Sequence, residues 1–335
     1  MSSTLLSQIR AFVTIDVDSM DPAVAVRHNA VAKFCNMTSN QAIVRGQTSL
    51  GSSLELVKAA IDRVKSSYPT LTGDDQLQEI VDLVTVLLAK EVYPNLTGNV
   101  LVQTSPSTAY DTEKTIQHAK KLVRLFGENG ISKERVCIKI PSTPESIVAC
   151  QQLQSEGIQT LATCLFSVPQ ALAASQASCL YIAPYFNELP AHFQEGVWKE
   201  YADTALEHPM CPIIHSIINL YKQINSKTLV MPASIVTAKE VIALASLGPN
   251  HLTLSGSVLD QLAALPEVPA EALQAPGAPR EVGANLKATD FLANNAEALK
   301  KAIAADTETT RKLKDALDIF DAQEQELKKY IQTLI

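Results

Sequence analysis

Aromatic side chains make up only 5% of this 335-residue chain, with Trp198 its one indole. The net charge is −7, and no basic stripe interleaves with those few rings. Nucleic acid is therefore not an expected partner, since its recognition needs cationic faces and stacking platforms. Six cysteines are present (Cys35, Cys137, Cys150, Cys164, Cys179 and Cys211), but no Cys-x-x-Cys pair. Several fall inside apolar runs, so reduced core thiols are expected, not a disulfide framework. His28, His118, His192, His208, His215 and His251 show no paired ligand spacing, and His251 alone falls at a strand, at its beginning and on the wrong face. Neither a metal nor any other cofactor is expected. Long apolar runs are missing too: Met1 to Val17 is broken by Arg10 and Asp16, which fits neither a secretory leader nor a membrane span. The expectation is a soluble cytoplasmic protein with no membrane partner, in which Asn36-Met37-Thr38 and Asn95-Leu96-Thr97 match the glycosylation pattern by chance.

What the chain does contain is aliphatic: 46% of residues are hydrophobic and 19% charged. Short apolar runs alternate with longer amphipathic stretches, the pattern of repeated βα units around a parallel sheet. Eight strands are predicted, at Phe12–Val17, Ala32–Met37, Val100–Thr104, Val136–Ile140, Thr160–Leu165, Leu180–Tyr185, Thr228–Met231 and Leu252–Leu254. Helical patterns follow at Ser53–Ser67, Thr112–Phe126, Pro144–Ser155, Ala238–Leu247 and Val258–Leu265, with Asp111 and Ser142 as N-terminal caps. The predicted fold class is α/β, a (β/α)8 TIM barrel with extra helices, forming a single domain over 1–335. Two regions exceed a minimal barrel: an insertion at about 187–226, with a helical stretch at Ile213–Ile224, and a C-terminal helix at about 308–334. The apolar stripe of that helix (Leu313, Leu317, Phe320, Leu327, Ile331, Leu334) fits packing on its own domain, with a homodimer as the other use. Pro266–Arg280 reads as a loop.

The most informative residue is Lys139, the only ionisable side chain in Val136-Cys137-Ile138-Lys139-Ile140-Pro141-Ser142. Desolvation lowers a lysine pKa, and a neutral amine attacks carbonyl carbon to give a Schiff base. The other reading is a lysine that snorkels out or pairs with a buried carboxylate. In a barrel of this kind, chemistry sits at the C-terminal strand ends. Polar residues there are Asp18, Ser39, Asn40, Gln103, Thr163, Tyr185 and Ser234. Asp18 and Asn40 each have a structural reading as well, as a loop cap and a turn residue. The two-residue period puts Lys139 with Pro141, Leu161 with Thr163 and Leu165, and Tyr181 with Ala183 and Tyr185, so that Thr163 and Tyr185 can both reach the amine.

With the lysine segment extended to Thr143-Pro144-Glu145-Ser146-Ile147, the chain resembles the transaldolase family of Schiff-base aldolases. Similarity continues through Met37-Thr38-Ser39-Asn40-Gln41, Tyr110-Asp111-Thr112-Glu113, Leu165-Phe166-Ser167, Ile182-Ala183-Pro184-Tyr185 and Val230-Met231-Pro232-Ala233-Ser234. The resemblance implies Lys139 as the Schiff-base lysine, Asp18 as the catalytic aspartate and Asn40 as the donor-binding asparagine. It further implies that Thr163 positions the catalytic water and that Ser234 lies near the distal end of the substrate. It points to a dimer, for which the sequence offers no interface of its own. Four positions depart from transaldolases: Gln103 in place of a glutamate, Leu161 of an asparagine, Ala183 of a serine and Tyr185 of a phenylalanine. All four resemble the smaller fructose 6-phosphate aldolases.

Both groups place an arginine for the substrate phosphate after the sixth strand, where this chain has Asn187-Glu188-Leu189; the second arginine of transaldolases is replaced in Ser234-Ile235-Val236. A carboxylate from Glu188 at that mouth would repel a dianion, so a non-phosphorylated ketone/aldehyde pair is the expected substrate, with Arg45 or Lys239 as substitute cations otherwise. Tyr185 is the expected acid/base, working through a water held with Gln103 and Thr163. Two alternatives stay open: a pentose-phosphate transaldolase with rearranged phosphate ligands, and a catalytically silent barrel kept as a binding protein.

Overall fold

The computed structural model describes residues 4–29 and 32–335; the first three residues of the Met1–Val17 segment lie outside it. Eight strands form one sheet in the order β7-β6-β5-β4-β3-β2-β1-β8, every pairing parallel. They are β1 (Thr14–Val17), β2 (Met37–Thr38), β3 (Val100–Gln103), β4 (Val136–Pro141), β5 (Gln159–Leu165), β6 (Tyr181–Pro184), β7 (Leu229–Val230) and β8 (His251–Leu254). β3, β4 and β6 are buried along their whole length, as strands must be when helices cover one face and the barrel interior the other. The seam between β7 and β8 closes through Asn250 N–H to the Val230 carbonyl at 3.1 Å, Val230 N–H to Asn250 Oδ1 at 2.8 Å and Thr253 N–H to the Pro232 carbonyl at 3.3 Å. Pro232 has no N–H to return, which leaves that seam without a regular ladder. The result is the (β/α)8 barrel that the alternating pattern predicts.

The predicted second strand, Ala32–Met37, shortens to Met37–Thr38 because side chains take up the backbone groups before it. Asn36 N–H donates to Asp16 Oδ1 at 2.8 Å, and Asn36 Oδ1 accepts from Asn99 N–H at 2.8 Å. Local bonds of this kind compete with a ladder. Gly98 permits the arrangement: a Cβ there would meet Asn36 Oδ1 at 2.5 Å and the Cys35 carbonyl at 2.8 Å.

Outside the strands, the helix Thr112–Glu128 is capped by Asp111 as predicted, whereas Pro144–Ser155 is capped by Thr143. Ser142 instead donates its hydroxyl to the Thr163 carbonyl at 2.7 Å, tying β4 to β5. The helix Gly73–Val92 has no counterpart in the sequence reading; it is buried on most sides, which blurs the 3.6-residue contrast. Within 187–226 lie a short turn at Leu189–His192, a one-turn helix at Thr204–Glu207 and the crossover helix Met210–Gln223, so the surplus over a plain βα unit is confined to 187–209. Pro266–Arg280 is a loop with a single turn at Ala270–Leu273.

The C-terminal helix runs from Thr307 to Gln332, with Asp306 as cap. Its predicted stripe is buried from Leu313 to Ile331 and packs on the chain's own helices Gln41–Thr48 and Gly73–Val92. It also reaches β5 and the turns after β3 and β6, so it lies across the strand ends. Lys328 binds Asp74 at 2.9 Å and Glu324 accepts from Ser105 Oγ at 2.7 Å. No helix among the described residues is long and apolar enough to cross a membrane.

Candidate functional site

Register carries the candidate residues to one end of the barrel. Lys139 on β4 is the Cα partner of Gln103 on β3 and of Leu161 on β5, and Pro141 is the partner of Thr163. After Ala162 the β5–β6 pairing slips, with Cys164 at φ 52°. This bulge interrupts the two-residue period expected through Leu165, and it re-aims the strand end. Ser234, after β7, is likewise held at φ 62°. Side chains with a Cβ avoid that region, and such strain collects at functional sites.

A cavity of about 260 Å³ opens at this end, lined by Asp18, Asn40, Lys139, Tyr185 and Ser234 among others. Lys139 is 2% exposed, and no salt bridge engages its amine among the described residues. Burial lowers its pKa from the ordinary lysine value, while Asp18 and Cys164 pull the other way. The amine lies 5.9 Å from the centre of the Tyr185 ring. Tyr185 is itself buried and packs edge-on against Phe166 at 5.7 Å. Burial, with Cys164 and Asp18 beside it, holds its phenol well above 10, with Thr163 acting in the opposite direction. Asp18, next after β1, accepts from Thr38 Oγ1 at 2.5 Å, and Thr38 Oγ1 is 2.5 Å from Thr253 Oγ1. Asn40 caps the helix Gln41–Thr48 through Oδ1, which accepts from Ile43 N–H at 3.0 Å; its amide N–H groups are left for the cavity.

Gln103 faces a small adjoining cavity. Its Nε2 donates to Gln41 Oε1 at 2.8 Å, while its Oε1 has no hydrogen-bond partner among the described residues. Thr163 Oγ1 is also buried and unpartnered. Buried polar atoms in native proteins are nearly always satisfied, so an unpartnered oxygen on β3 and another on β5, the two neighbours of the lysine strand, mark room for a water or a ligand oxygen.

Neither Gln103 nor Thr163 lines the Lys139 cavity itself, and three more of the predicted site residues are absent from its wall. Ser39 is fully buried and donates its hydroxyl to the Leu101 carbonyl at 3.1 Å, facing the smaller cavity. Ala183 is buried within β6 and does not line the wall. Glu188 turns outward to Arg311 of the C-terminal helix, Oε2 to Nη1 2.6 Å, and borders a separate depression. Its carboxylate is thus neutralised away from the mouth, and the repulsion expected from it does not operate in the cavity. Neither substitute cation reaches the wall: Arg45 lies over the Tyr330 ring and Lys239 pairs with Glu200 at 3.1 Å.

The sequence reading missed His192, which lies at the cavity's exposed rim with Nε2 2.8 Å from Ser234 Oγ. It comes from the turn after β6, where no strand end or spacing marks it. Leu189, Phe193, Ile235, Ala42 and Ile43 add an apolar wall. At the opposite end of the barrel Asp16, Cys35 and His251 come together. Both oxygens of Asp16 are occupied there, by Asn36 N–H and by His251 Nδ1 at 2.8 Å, so this group braces β1 against β8.

The profile of the Transaldolase/Fructose-6-phosphate aldolase family matches residues 14–331. A transaldolase of Gibberella intermedia is 31% identical over 261 residues, covering 78% of each chain. One of Shewanella baltica (strain OS155) is 32% identical over 263 residues, covering 78% of this chain and 79% of its own. A third, of Methylobacillus flagellatus, is 31% identical over 264 residues, covering 78% and 80% respectively. With a buried lysine on the fourth strand of an eight-stranded parallel barrel and a family match that runs almost from end to end, the chain belongs to the transaldolase/fructose-6-phosphate aldolase family.

Proposed function

We propose that this family member makes or breaks a C–C bond through a Schiff base on Lys139, acting on a non-phosphorylated ketone/aldehyde pair. The observation that carries the reading is the composition of the cavity wall. Among the described residues that line it, Lys139 and His192 are the side chains able to hold a positive charge; burial lowers the pKa of Lys139, and no arginine is present. A phosphate dianion is best held by fixed cationic, often bidentate donors, and the wall has no guanidinium to supply them.

In the synthetic direction, the neutral amine adds to the ketone carbonyl and a proton moves to oxygen, giving a carbinolamine. A proton delivered to its hydroxyl expels water and leaves an iminium, and removal of a proton from the adjacent carbon then leaves a neutral enamine. That carbon attacks the aldehyde, the new alkoxide takes a proton, and water releases the product and restores the amine. Tyr185 serves the water and carbon proton transfers, through a water held by the unpartnered Gln103 Oε1 and Thr163 Oγ1. A phenol this far above its usual pKa favours its protonated form, so it acts first as a donor. Asp18 handles the hydroxyl formed or lost at bond cleavage, Asn40 holds a donor hydroxyl with its free N–H groups, and Ser234 faces the distal end. Ser39, Ala183 and Glu188 have no direct contact in this scheme. The presence of Gln103, Ala183 and Tyr185 supports plain aldol chemistry of the fructose 6-phosphate aldolase kind over group transfer.

Borohydride trapping tests the covalent step. Dihydroxyacetone, hydroxyacetone and a panel of small ketones and aldehydes are expected to leave a reduced adduct on Lys139, seen by peptide mass spectrometry; no adduct from any of them overturns the Schiff base. Strong preference for phosphorylated over free sugars would overturn the substrate assignment. The names of the relatives favour a second reading, transfer between sugar phosphates, and a coupled assay with fructose 6-phosphate and erythrose 4-phosphate separates the two.

A further inference from the structure

The rim beside the apolar wall is built with more care than an incidental surface. Ser234 is an L-residue held at φ 62°, a conformation that persists only where its surroundings enforce it. Asn187 does the enforcing, its backbone and side-chain N–H groups both donating to the Ser234 carbonyl, at 3.1 and 3.0 Å. Asn187 is pinned in turn by the buried Glu240, whose Oε2 accepts from Asn187 Nδ2 at 3.0 Å and from Val236 N–H at 2.7 Å. The other Glu240 oxygen accepts from Trp198 Nε1 at 2.9 Å, so that carboxylate is fully used as a brace and is not a ligand. Two loops, after β6 and after β7, are thereby locked together, and what they present to the cavity is His192 against Ser234, Nε2 to Oγ 2.8 Å.

A neutral imidazole bonded to a hydroxyl always leaves one donor and one acceptor between them, whichever way the shared proton points. That pattern complements an alcohol, which also donates and accepts, and it offers no charge to a phosphate. Leu189, Phe193 and Ile235 flank the pair with carbon.

Resting on the Schiff-base reading above, we infer that His192 is the specificity-determining residue for the acceptor: with Ser234 it hydrogen-bonds a free hydroxyl of a short unphosphorylated hydroxyaldehyde, whose carbon chain lies against Leu189, Phe193 and Ile235. His192 binds substrate and takes no part in bond making at Lys139. This gives the cavity a covalent end for the ketone and a hydrogen-bonding end for the aldehyde.

Two measurements test this. Full-length Lys139→Met protein, labelled at histidine and with His192 assigned by comparison with His192→Asn, is titrated with D-glyceraldehyde, D-glyceraldehyde 3-phosphate and butanal while imidazole resonances are followed. A saturable shift of the His192 signal with D-glyceraldehyde, weaker with the other two and reduced by Ser234→Ala, is expected. No shift, or a shift from the phosphate ester alone, overturns the inference whether or not Lys139 forms an adduct. In otherwise wild-type enzyme, His192→Phe should raise KM for D-glyceraldehyde about tenfold, with kcat little changed and ketone trapping at Lys139 unaltered, and His192→Asn should recover part of the loss. Unchanged KM with intact trapping defeats the role of His192 and leaves the Schiff-base reading standing; failed trapping in the parent protein defeats that reading, and the titration still decides His192.

Discussion

Replacing Lys139 by methionine should abolish activity and raise stability, and the two effects have one cause. Methionine matches the length of the buried stem but carries no amine. In the native protein that amine is 2% exposed, has no ion pair and titrates below the ordinary lysine value because burial disfavours its charge. Removing a buried polar group without a partner is worth about 1–3 kcal/mol. At roughly 2.1 cal/mol/K of unfolding entropy per residue, a chain of this length gains one degree of Tm for about 0.7 kcal/mol, so the expected rise is about 1–4 °C. The pH dependence sharpens the test. Since the folded-state pKa of Lys139 is depressed, the unfolded chain holds more protons between that pKa and 10.5, and wild-type stability rises with pH through this window. The advantage of Lys139→Met is therefore widest below the depressed pKa and closes as pH approaches 10.5. Denaturant titration of both proteins across that range measures the gap. A variant less stable than the parent at neutral pH, or a gap that widens toward alkaline pH, refutes the argument that the amine is held at the expense of the fold.

Tyr185→Phe keeps the edge-on packing with Phe166 but removes the hydroxyl, and a loss of about 10²–10⁴ in kcat is expected, measured with the best ketone/aldehyde pair from trapping. Glu188→Gln breaks the pair with Arg311 outside the cavity, so the ratio of kcat/KM for free and phosphorylated aldehydes should not move; a shift toward the phosphorylated aldehyde would show that the carboxylate acts at the mouth. The same change should cost less than about 1 kcal/mol in denaturant titration, because the pair is solvent-accessible. Gly98→Ala places a methyl 2.5 Å from Asn36 Oδ1 and 2.8 Å from a backbone carbonyl; about 1–3 kcal/mol of destabilisation should follow, and an unaltered Tm would mean the turn at Cys35 yields more readily than its packing suggests.

How much of this was readable beforehand differs from residue to residue. Lys139 announced itself, because an amine in an otherwise continuous apolar strand has few physical explanations, and strand ends located Asp18, Asn40, Tyr185 and Ser234 on the cavity wall. Glu188 does lie in the loop after the sixth strand, but its expected place at the mouth is not where it sits, because which way a loop side chain turns depends on Arg311, 123 positions later in sequence. Ser39 was taken by a neighbouring carbonyl, a choice that only the β2–β3 pairing reveals. His192 escaped because it sits on an irregular turn, where neither a period nor a cap marks its direction. The bulge at Cys164 was equally invisible: nothing in Thr163-Cys164-Leu165 requires a left-handed residue. Elements that repeat were legible, while pairings between distant loops were not.

The helix Thr307–Gln332, about 39 Å long, lies across the strand ends like a hoop, held by Arg311 to the loop after β6 and by Glu324 to the turn after β3. All eight barrel strands and every polar group assigned to the chemistry precede it in the chain. A ribosome would thus have made the complete reactive constellation well before the piece that binds the strand-end loops together. A product cut at Asp306 would retain the whole staved barrel and the amine's own chamber, yet have lost Glu324 from the smaller hollow beside Gln103 and the tether on the loop after β6.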